Sequence, residues 1–349
     1  MREPFGRIDG DAELHARMLP FCRLRPGEIW EDVVAGHRVG VLDACAAPDG
    51  ARIVGKRAPT LCIADPPYNV AVGATNSAAL GVVAAEAYES FTGQWLEASI
   101  STLAAAASLY VWIGADPKRG LHPLPEFVLA MRARGEWALR NWITLRNQRG
   151  YGTQSNWMWV RQELLYYARG KPHFDVAAEY TDIPKILRGY YKDVGGKRTE
   201  NAARGKSDTI RAGNVWVDIQ QVFYRLHENV PGCYAQKPLK AIERIVRSAT
   251  VPGDTVIDPF AHSGTTLIAC EKLGRRAITL DLDPVYAEIT IRRLERYRAT
   301  GREGWQVRQS VPRARSGVRL VGETGFEPAT LCSQSRCATR LRHSPMPWP

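Results

Sequence analysis

The sequence predicts an α/β protein built on a doubly wound, mostly parallel sheet. Three observations carry this. Short apolar strands alternate with helical patterns in both the first and the last third of the chain. The stretch "VIDPFAHSGTT", Val256 to Thr266, has the strand–turn–helix form that offers backbone N–H groups and a helix N-terminus to a ligand. A second strand, "TLCI", runs directly into "ADPPYNV", where two prolines stop the ladder beside an aspartate.

Taken in order, the first thirty or so residues have no clear period and read as an extension, 1–35. "HRVGVL", His37 to Leu42, is a strand leading to Asp43, and "TLCIAD" is the next. Thr92 is expected to N-cap a helix over "GQWLEASISTLAAAA". "SLYVWIG" is a buried strand. "PLPEFVLAMRARG" is a helix with proline near its start and Gly135 past its end. "WALRNWITL" is a strand by its aromatic and β-branched content. From 146 to 225 the pattern breaks down into turn, basic and aromatic residues, and "VGGKRTENAARGKSDTIRAG" reads as a mobile loop. Alternation resumes with a helix at "KPLKAIERIVRSAT", whose Leu239, Ile242, Val246 and Ala249 share one face. A strand at "DTVIDPF", a helix closed by Gly274, a strand at "RAITLDLD" and a helix from Pro284 follow. The segments 36–145 and 226–306 thus read as two halves of one sheet domain, and 307–349 as a patternless tail.

Composition excludes some classes. The longest apolar runs are too short to cross a bilayer, and the charged N-terminus is no signal peptide. Seven scattered cysteines without CxxC spacing read as free thiols in a reducing cytoplasm, with no metal site. The net charge of +11 suggests a polyanionic partner, although seven arginines and two glutamates after Gln306 place +5 of it in the tail. That tail, "GETGFEPATLCSQSRCATRLRHSP", resembles peptide made when a reading frame runs on through a stable-RNA gene.

The motifs carry the chemistry. "VIDPFAHSGTT" lacks the GK[ST] of a phosphate loop and is not GxGxxG. About twenty residues on, Asp281 ends the next strand, where a carboxylate can hold two ribose hydroxyls; Asp283 reads as the cap of the helix at Pro284. In "ADPPYNV", Asp65 is an acceptor only and Pro66 offers a carbonyl with no competing donor. Two acceptors side by side suit an amino group with two hydrogens to give. Pro66 and Pro67 fix the direction of Tyr68, whose ring suits stacking on a planar heterocycle. The alternative is a proline-rich turn with Tyr68 as packing. Cys62, two residues before the aspartate, reads as core.

Together, "DPPY" and "DPFAHSGTT" preceded by "QKPLKAIERI" resemble the amino-group DNA methyltransferases that use S-adenosyl-L-methionine. The catalytic motif comes first, a basic region next and the cofactor loop last, and this permuted order resembles their β class. "GHRVGVLDA" resembles the segment upstream of the catalytic strand, and "RQELLYYARG" and "GNVWVDI" resemble sheet-edge segments; the likeness covers about Gly36 to Gln306. It implies the S-adenosyl-L-methionine-dependent methyltransferase (Rossmann-like) fold, with catalysis at Asp65, Pro66, Pro67 and Tyr68. It implies cofactor contacts at Asp43, Lys237, Asp258, Phe260, His262, Ser263, Gly264, Thr265 and Asp281. The partner would be double-stranded DNA with its target base flipped onto Tyr68, met by Arg146, Arg149, Tyr151, Arg161, Lys197, Arg198, Arg204 and Lys206 of the basic region. A homodimer and a companion restriction endonuclease are compatible with it. Adenine N6 is the expected target because aspartate, not serine, opens the motif; cytosine N4 is the alternative. Two departures stand out: Leu42 and His262 replace glycines of the family pattern. His262 is expected to sit at negative φ, where a side chain is tolerated. An inactive DNA-binding remnant of phage origin, its cofactor site blocked by His262, is the reading from another class, and a protein or small-molecule methyltransferase the rival within the chemistry.

Overall fold

The computed structural model describes residues 8–68, 84–114, 123–151, 157, 159–175, 180–184, 191–200, 209–211, 213–222 and 226–305. All lie within the unit Met1–Gln306. In chain order the elements are α1 (Ala12–Met18), β1 (Ile29–Glu31), β2 (Arg38–Val41), α2 (Ala47–Val54), β3 (Leu61–Ala64), α3 (Ala85–Ile100), β4 (Ala107–Ile113), α4 (Leu124–Arg134), β5 (Ala138–Tyr151) and β6 (Trp159–Arg169). Then come β7 (Tyr180–Pro184), β8 (Tyr191–Val194), β9 (Lys197–Glu200), β10 (Thr209–Arg211), β11 (Val215–Trp216), α5 (Leu239–Ala249), β12 (Thr255–Asp258), α6 (Thr265–Leu273), β13 (Arg276–Asp281) and α7 (Pro284–Thr300).

Nine strands form one sheet in the order β1-β2-β13-β12-β3-β4-β6-β5-β11. The five from β2 to β4 are parallel neighbours; β6 runs antiparallel between β4 and β5, and β1 antiparallel on β2. Successive side chains of a strand point to opposite faces, so each strand feeds two cores. Leu61, Ile63, Tyr110, Trp112 and Val256 meet Ile242, Val246, Leu267, Ile268 and Ile291 of α5, α6 and α7. Cys62, Ala64, Leu109, Val111, Ile257 and Ile278 meet Ile53, Trp95, Leu96, Phe127 and Met131 of α2, α3 and α4. Helices thus cover both faces, as the near-continuous apolar strands require. Among the described residues no helix is long and apolar enough to cross a membrane. Cys22, Cys45, Cys62, Cys233 and Cys270 are free thiols, with Cys62 wholly buried in the core as expected.

Several elements differ from the sequence reading. Thr92 is not an N-cap. The helix begins at Ala85, seven residues earlier, and the Thr92 hydroxyl donates to the Tyr88 carbonyl one turn back (2.8 Å). That back-bond lets threonine sit inside a helix. The alanines expected at the end of this helix instead lead into β4, and the helix stops at Ile100. β5 does not end near Arg146 but runs on to Tyr151, because β6 supplies an antiparallel partner as far as the Tyr151–Trp159 pair. β6, expected at a sheet edge, is therefore interior, while β11 is the edge. Part of the expected mobile loop is a hairpin: β8 pairs with β9 across Gly195 and Gly196, whose φ values of +62° and +77° suit a tight two-residue turn. Residues 201–208 and the tail from 306 lie outside the described residues.

One polar group ties α7 to the turn between β12 and α6 and to the chain around residues 228 and 303. Arg293 is wholly buried. Its guanidinium donates to the Ser263 carbonyl (2.8 Å), the Thr265 hydroxyl (3.1 Å), the Glu303 carbonyl (2.6 Å) and the Glu228 carbonyl (3.3 Å). Burial lowers its pKa to about 10, so the cation persists at neutral pH. Arg293→Met would leave these acceptors buried without a donor. We expect it to lower the free energy of unfolding by about 3 kcal/mol, read from the urea midpoint at pH 7.

Candidate active site

The five parallel strands end along one edge of the sheet. In register, Asp281 lies beside Val41, Asp258 beside Thr279, Ile257 beside Cys62 and Ala64 beside Val111. The residues that finish these strands are consequently neighbours: Asp43 after β2, Asp281 on β13, Asp258 on β12, Asp65 after β3 and Gly114 after β4. The carboxyl ends of such strands, near a point where strand order reverses, are where open α/β sheets take ligands.

Asp65 leaves β3 half-buried, and Pro66 beside it is buried. The Tyr68 hydroxyl donates to Asp65 Oδ1 (2.8 Å). Its ring lies on Gly114: a Cβ there would fall 2.2–2.7 Å from three ring atoms, so only glycine lets the tyrosine close down. Burial, with Asp65 nearby, raises the Tyr68 hydroxyl well above its ordinary pKa, so it stays a donor. Lys237 also comes here. Its Nζ pairs with Asp65 Oδ2 at 2.5 Å, donates to the Tyr68 hydroxyl at 3.3 Å, and stands 5.3 Å from the Tyr68 ring centroid and 5.5 Å from that of Trp112. Expected as a cofactor residue, Lys237 in this structure belongs to the Asp65 cluster. Its backbone is pinned on both sides. Gln236, buried, accepts from the Val230 amide and donates to the Glu228 carbonyl, and the Glu228 carboxylate accepts from the Leu239 amide at the start of α5 (2.6 Å).

The loop between β12 and α6 is equally ordered. Asp258 is buried; Oδ2 accepts from the Thr266 hydroxyl (2.5 Å) and Oδ1 from the Phe260 amide (3.0 Å). Burial pushes its carboxyl up to about 7, with Asp65 adding to the rise and Lys237 opposing it. Phe260 turns to α3, edge-on to Trp95 with centroids 5.4 Å apart. Ser263, Gly264 and Thr265 are buried against α7: the Ser263 carbonyl and Thr265 hydroxyl serve Arg293, and a Cβ on Gly264 (φ +74°) would strike Thr290 at 2.8 Å. The Thr265 hydroxyl is thus taken by Arg293, and a ligand at this turn would meet main-chain groups in its place. The orphan amides of the first turn of α6 are groups of that kind.

His262 corrects an expectation. Its φ is +47°, not negative. The left-handed turn lets its N–H donate to Asp281 Oδ2 (3.0 Å) and its carbonyl accept from the Thr290 hydroxyl (3.3 Å). Its ring lies 4.7 Å from that of Tyr286. Asp281 also accepts the Asp283 amide on Oδ1 (3.0 Å), and burial pushes its carboxyl up to about 7. Asp283 caps α7 through the Val285 amide, as read from sequence, and pairs with His15 (2.8 Å). Asp43 accepts the Cys45 amide (2.8 Å), while the Leu42 amide donates to the Asp281 carbonyl.

Of the residues expected to meet DNA, Arg146 and Arg161 are exposed and directly opposite each other on β5 and β6. Arg149 and Tyr151 lie on β5; Lys197 (exposed) and Arg198 on β9; Arg204 and Lys206 fall outside the described residues. Sequence reasoning missed Glu163, a buried carboxylate. It accepts the Trp142 indole (2.5 Å) and the Thr144 hydroxyl (3.3 Å), and pairs with Arg161 (2.7 Å). It also missed Gly114, Thr266, Gln236 and Arg293. Only Gly114, a glycine at a strand's end, carried a readable signal.

A family model described as DNA methylase, of the N6/N4 type, matches residues 60–292. The chain belongs to that family. As a member of the N6/N4 DNA methylases it is a DNA methyltransferase, and its methyl donor is S-adenosyl-L-methionine. It is 26% identical over 237 residues to the type II methyltransferase M.HpaI of Haemophilus parainfluenzae, covering 67% of this chain and 68% of that one. It is 39% identical over 85 residues to the DNA adenine methyltransferase YhdJ of Escherichia coli (strain K12), 24% of this chain and 28% of that one. Among solved structures, the cytosine-N4-specific PvuII DNA methyltransferase aligns with a TM-score of 0.51 at 14% identity, covering 72% of this chain and 84% of that one, which shows a shared fold.

The positive φ at 262 costs a non-glycine residue about 1 kcal/mol or more. His262→Gly should therefore stabilise the methylase by about 0.5–1 kcal/mol, and His262→Val, β-branched, should destabilise it. Urea denaturation of the two variants checks this. A less stable glycine variant would show that the ring beside Tyr286 outweighs the backbone term.

Proposed function

We propose that the protein is a site-specific methyltransferase acting on the exocyclic N6 of adenine in double-stranded DNA. The observation that carries this is the Asp65 carboxylate, beside the Tyr68 ring at the same sheet edge as Asp258 and Asp281. When bound, S-adenosyl-L-methionine supplies an electrophilic methyl on a sulfonium. The donor set fits such a group: the half-buried Asp281 and Asp43 carboxylates for ribose hydroxyls, and main-chain amides at the start of α6.

The amine's own chemistry sets the task of Asp65. Its lone pair is delocalised into the ring, so it is a poor nucleophile. Asp65 and the Pro66 carbonyl accept its two hydrogens, which localises the pair and aims it. As the nitrogen forms the new N–C bond, the methyl–sulfur bond would break to leave a neutral thioether, and the Asp65 carboxylate would stabilise the positive charge on nitrogen until one N–H proton passes to solvent. Holding the amine in line contributes much of the rest. Tyr68, on its Gly114 bed, gives the flipped base a stacking surface. Arg146 and Arg161, with the other basic residues of 146–225, would bind phosphates and base edges as the recognition region. Residues 36–145 and 226–306 would form the methyltransferase domain, and 307–349 no functional part.

Aspartate rather than serine at position 65 supports adenine, as does the regional match to YhdJ, which is named as an adenine enzyme. The protein would act in the cytoplasm, where the chromosome lies. The type II name of M.HpaI supports a restriction-modification role, with a companion endonuclease and a homodimer as natural arrangements.

DNA from cells expressing the protein, digested and analysed by mass spectrometry, should contain N6-methyladenine, and Asp65→Ala should abolish it. N4-methylcytosine alone would overturn the adenine assignment. No methylated base, together with no cofactor binding, would favour an inactive remnant.

The raised Asp281 carboxyl adds a pH dependence. Hydroxyls donate to the ionised form, which predominates above about pH 7. Cofactor affinity, measured by calorimetry, should therefore rise between pH 6 and 8. Asp281→Asn should weaken it and flatten that rise.

A further inference from the structure

The two groups the reaction needs, the Asp65 carboxylate and the Tyr68 ring, are both held by one side chain. Lys237 pairs with Asp65 Oδ2 at 2.5 Å, donates to the Tyr68 hydroxyl at 3.3 Å and lies within cation–π range of its ring at 5.3 Å. The Tyr68 hydroxyl fills Asp65 Oδ1 as well. Two consequences follow. The carboxylate's field is largely cancelled where positive charge must build up on the amine. The ammonium itself would repel that charge. Methyl transfer therefore goes best with Lys237 elsewhere.

The lysine can leave without the fold changing. Gln236 and the Glu228–Leu239 contact pin its backbone, so the motion is confined to a flexible four-carbon stem bearing a point charge. A buried ammonium does not leave a carboxylate for nothing; it needs another anion. The cofactor brings one in the carboxylate of its methionine half.

We propose that Lys237 is a positioning residue that holds Asp65 in the pair seen here and transfers to the cofactor's carboxylate on binding. Only the loaded enzyme can then capture the target amine. This rests on the methyltransferase reading of the site given above. It accounts for a lysine of the cofactor-half motif lying on the catalytic aspartate. It also makes the Asp65–Lys237 pair a competitor of cofactor binding.

Competition of this kind is readable without DNA or turnover. Calorimetry would compare S-adenosylhomocysteine, which keeps the carboxylate, with 5′-methylthioadenosine, which lacks it. The proteins would be the wild type, Asp65→Asn, Lys237→Met, Lys237→Arg and the Asp65→Asn/Lys237→Met double variant. Asp65→Asn should bind S-adenosylhomocysteine about tenfold more tightly than the wild type and methylthioadenosine unchanged, since the lysine no longer has to leave a partner. Lys237→Met should bind S-adenosylhomocysteine about tenfold or more weakly, and Asp65→Asn should then add nothing. Lys237→Arg should restore part of the affinity. Equal methylthioadenosine binding in every variant shows that the adenosine site is intact. The switch is overturned if Asp65→Asn leaves S-adenosylhomocysteine affinity unchanged, if methylthioadenosine gains as much, or if the Asp65→Asn gain survives in the double variant. Failure of the wild type to bind either ligand would overturn the methyltransferase reading of the site, and the switch with it.

Discussion

The seam between β3 and β12 is the constraint on which the rest depends. Leu61 pairs with Val256 and Cys62 with Ile257, so residues almost two hundred positions apart form one ladder. Each strand alternates between two cores, and a slip of one residue would send Cys62 and Ile63 to the wrong faces. The register is therefore fixed by packing on both sides at once. Because it is fixed, Asp65 and Asp258 come at the ends of neighbouring strands, close enough for Asp258 to feel both Asp65 and Lys237. The two motifs of the sequence become one site through this ladder and through little else.

The site is also built with its polar groups already satisfied. Asp65 has a tyrosine hydroxyl and an ammonium; Asp258 has a threonine hydroxyl and an amide; Asp281 has two amides. Holding three carboxylates along one edge, Asp258 buried and Asp65 and Asp281 half-buried, is expensive without such partners. Even so, desolvation pushes Asp258 and Asp281 up to about 7, against the amides and the hydroxyl that favour their ionised forms. Asp65 alone of the three is ion-paired, to Lys237 at 2.5 Å, so the carboxylates of this common edge are held by different kinds of partner.

What the sequence made legible was what local chemistry decides. Proline ended β3, Asp283 capped α7, Gly135 and Gly274 closed their helices in the left-handed conformation, and the apolar strands declared a sheet covered on both faces. What it hid was decided at a distance. The start of α3 could not be placed from Thr92, because the hydroxyl that would cap a helix also bonds within one. Arg293 is one arginine among several on α7, and nothing local distinguishes the one whose guanidinium is buried under the β12–α6 turn. The φ of His262 was misjudged because the torsion follows from two tertiary bonds, to Asp281 and from Thr290, and not from the residue's own preference. Lys237 carried its residue type plainly, but its partner lies across the seam.

The same logic reaches the recognition region. Glu163 stands opposite Ile113 on β4, one residue before the Gly114 on which Tyr68 rests. Its carboxylate fixes Arg161 on β6 and Trp142 and Thr144 on β5. A buried charge held by three partners in two strands does not shift without breaking all of them. The exposed Arg161, and Arg146 across the ladder from it, are therefore tied through β6 to β4, whose following residue, Gly114, seats the Tyr68 ring. If those arginines grip phosphate, the grip sits at a set offset from Tyr68, and the position of the duplex is set relative to Asp65 by a run of β-ladder rather than by a loop. Such a link turns a weak, sequence-independent contact into a ruler for base capture.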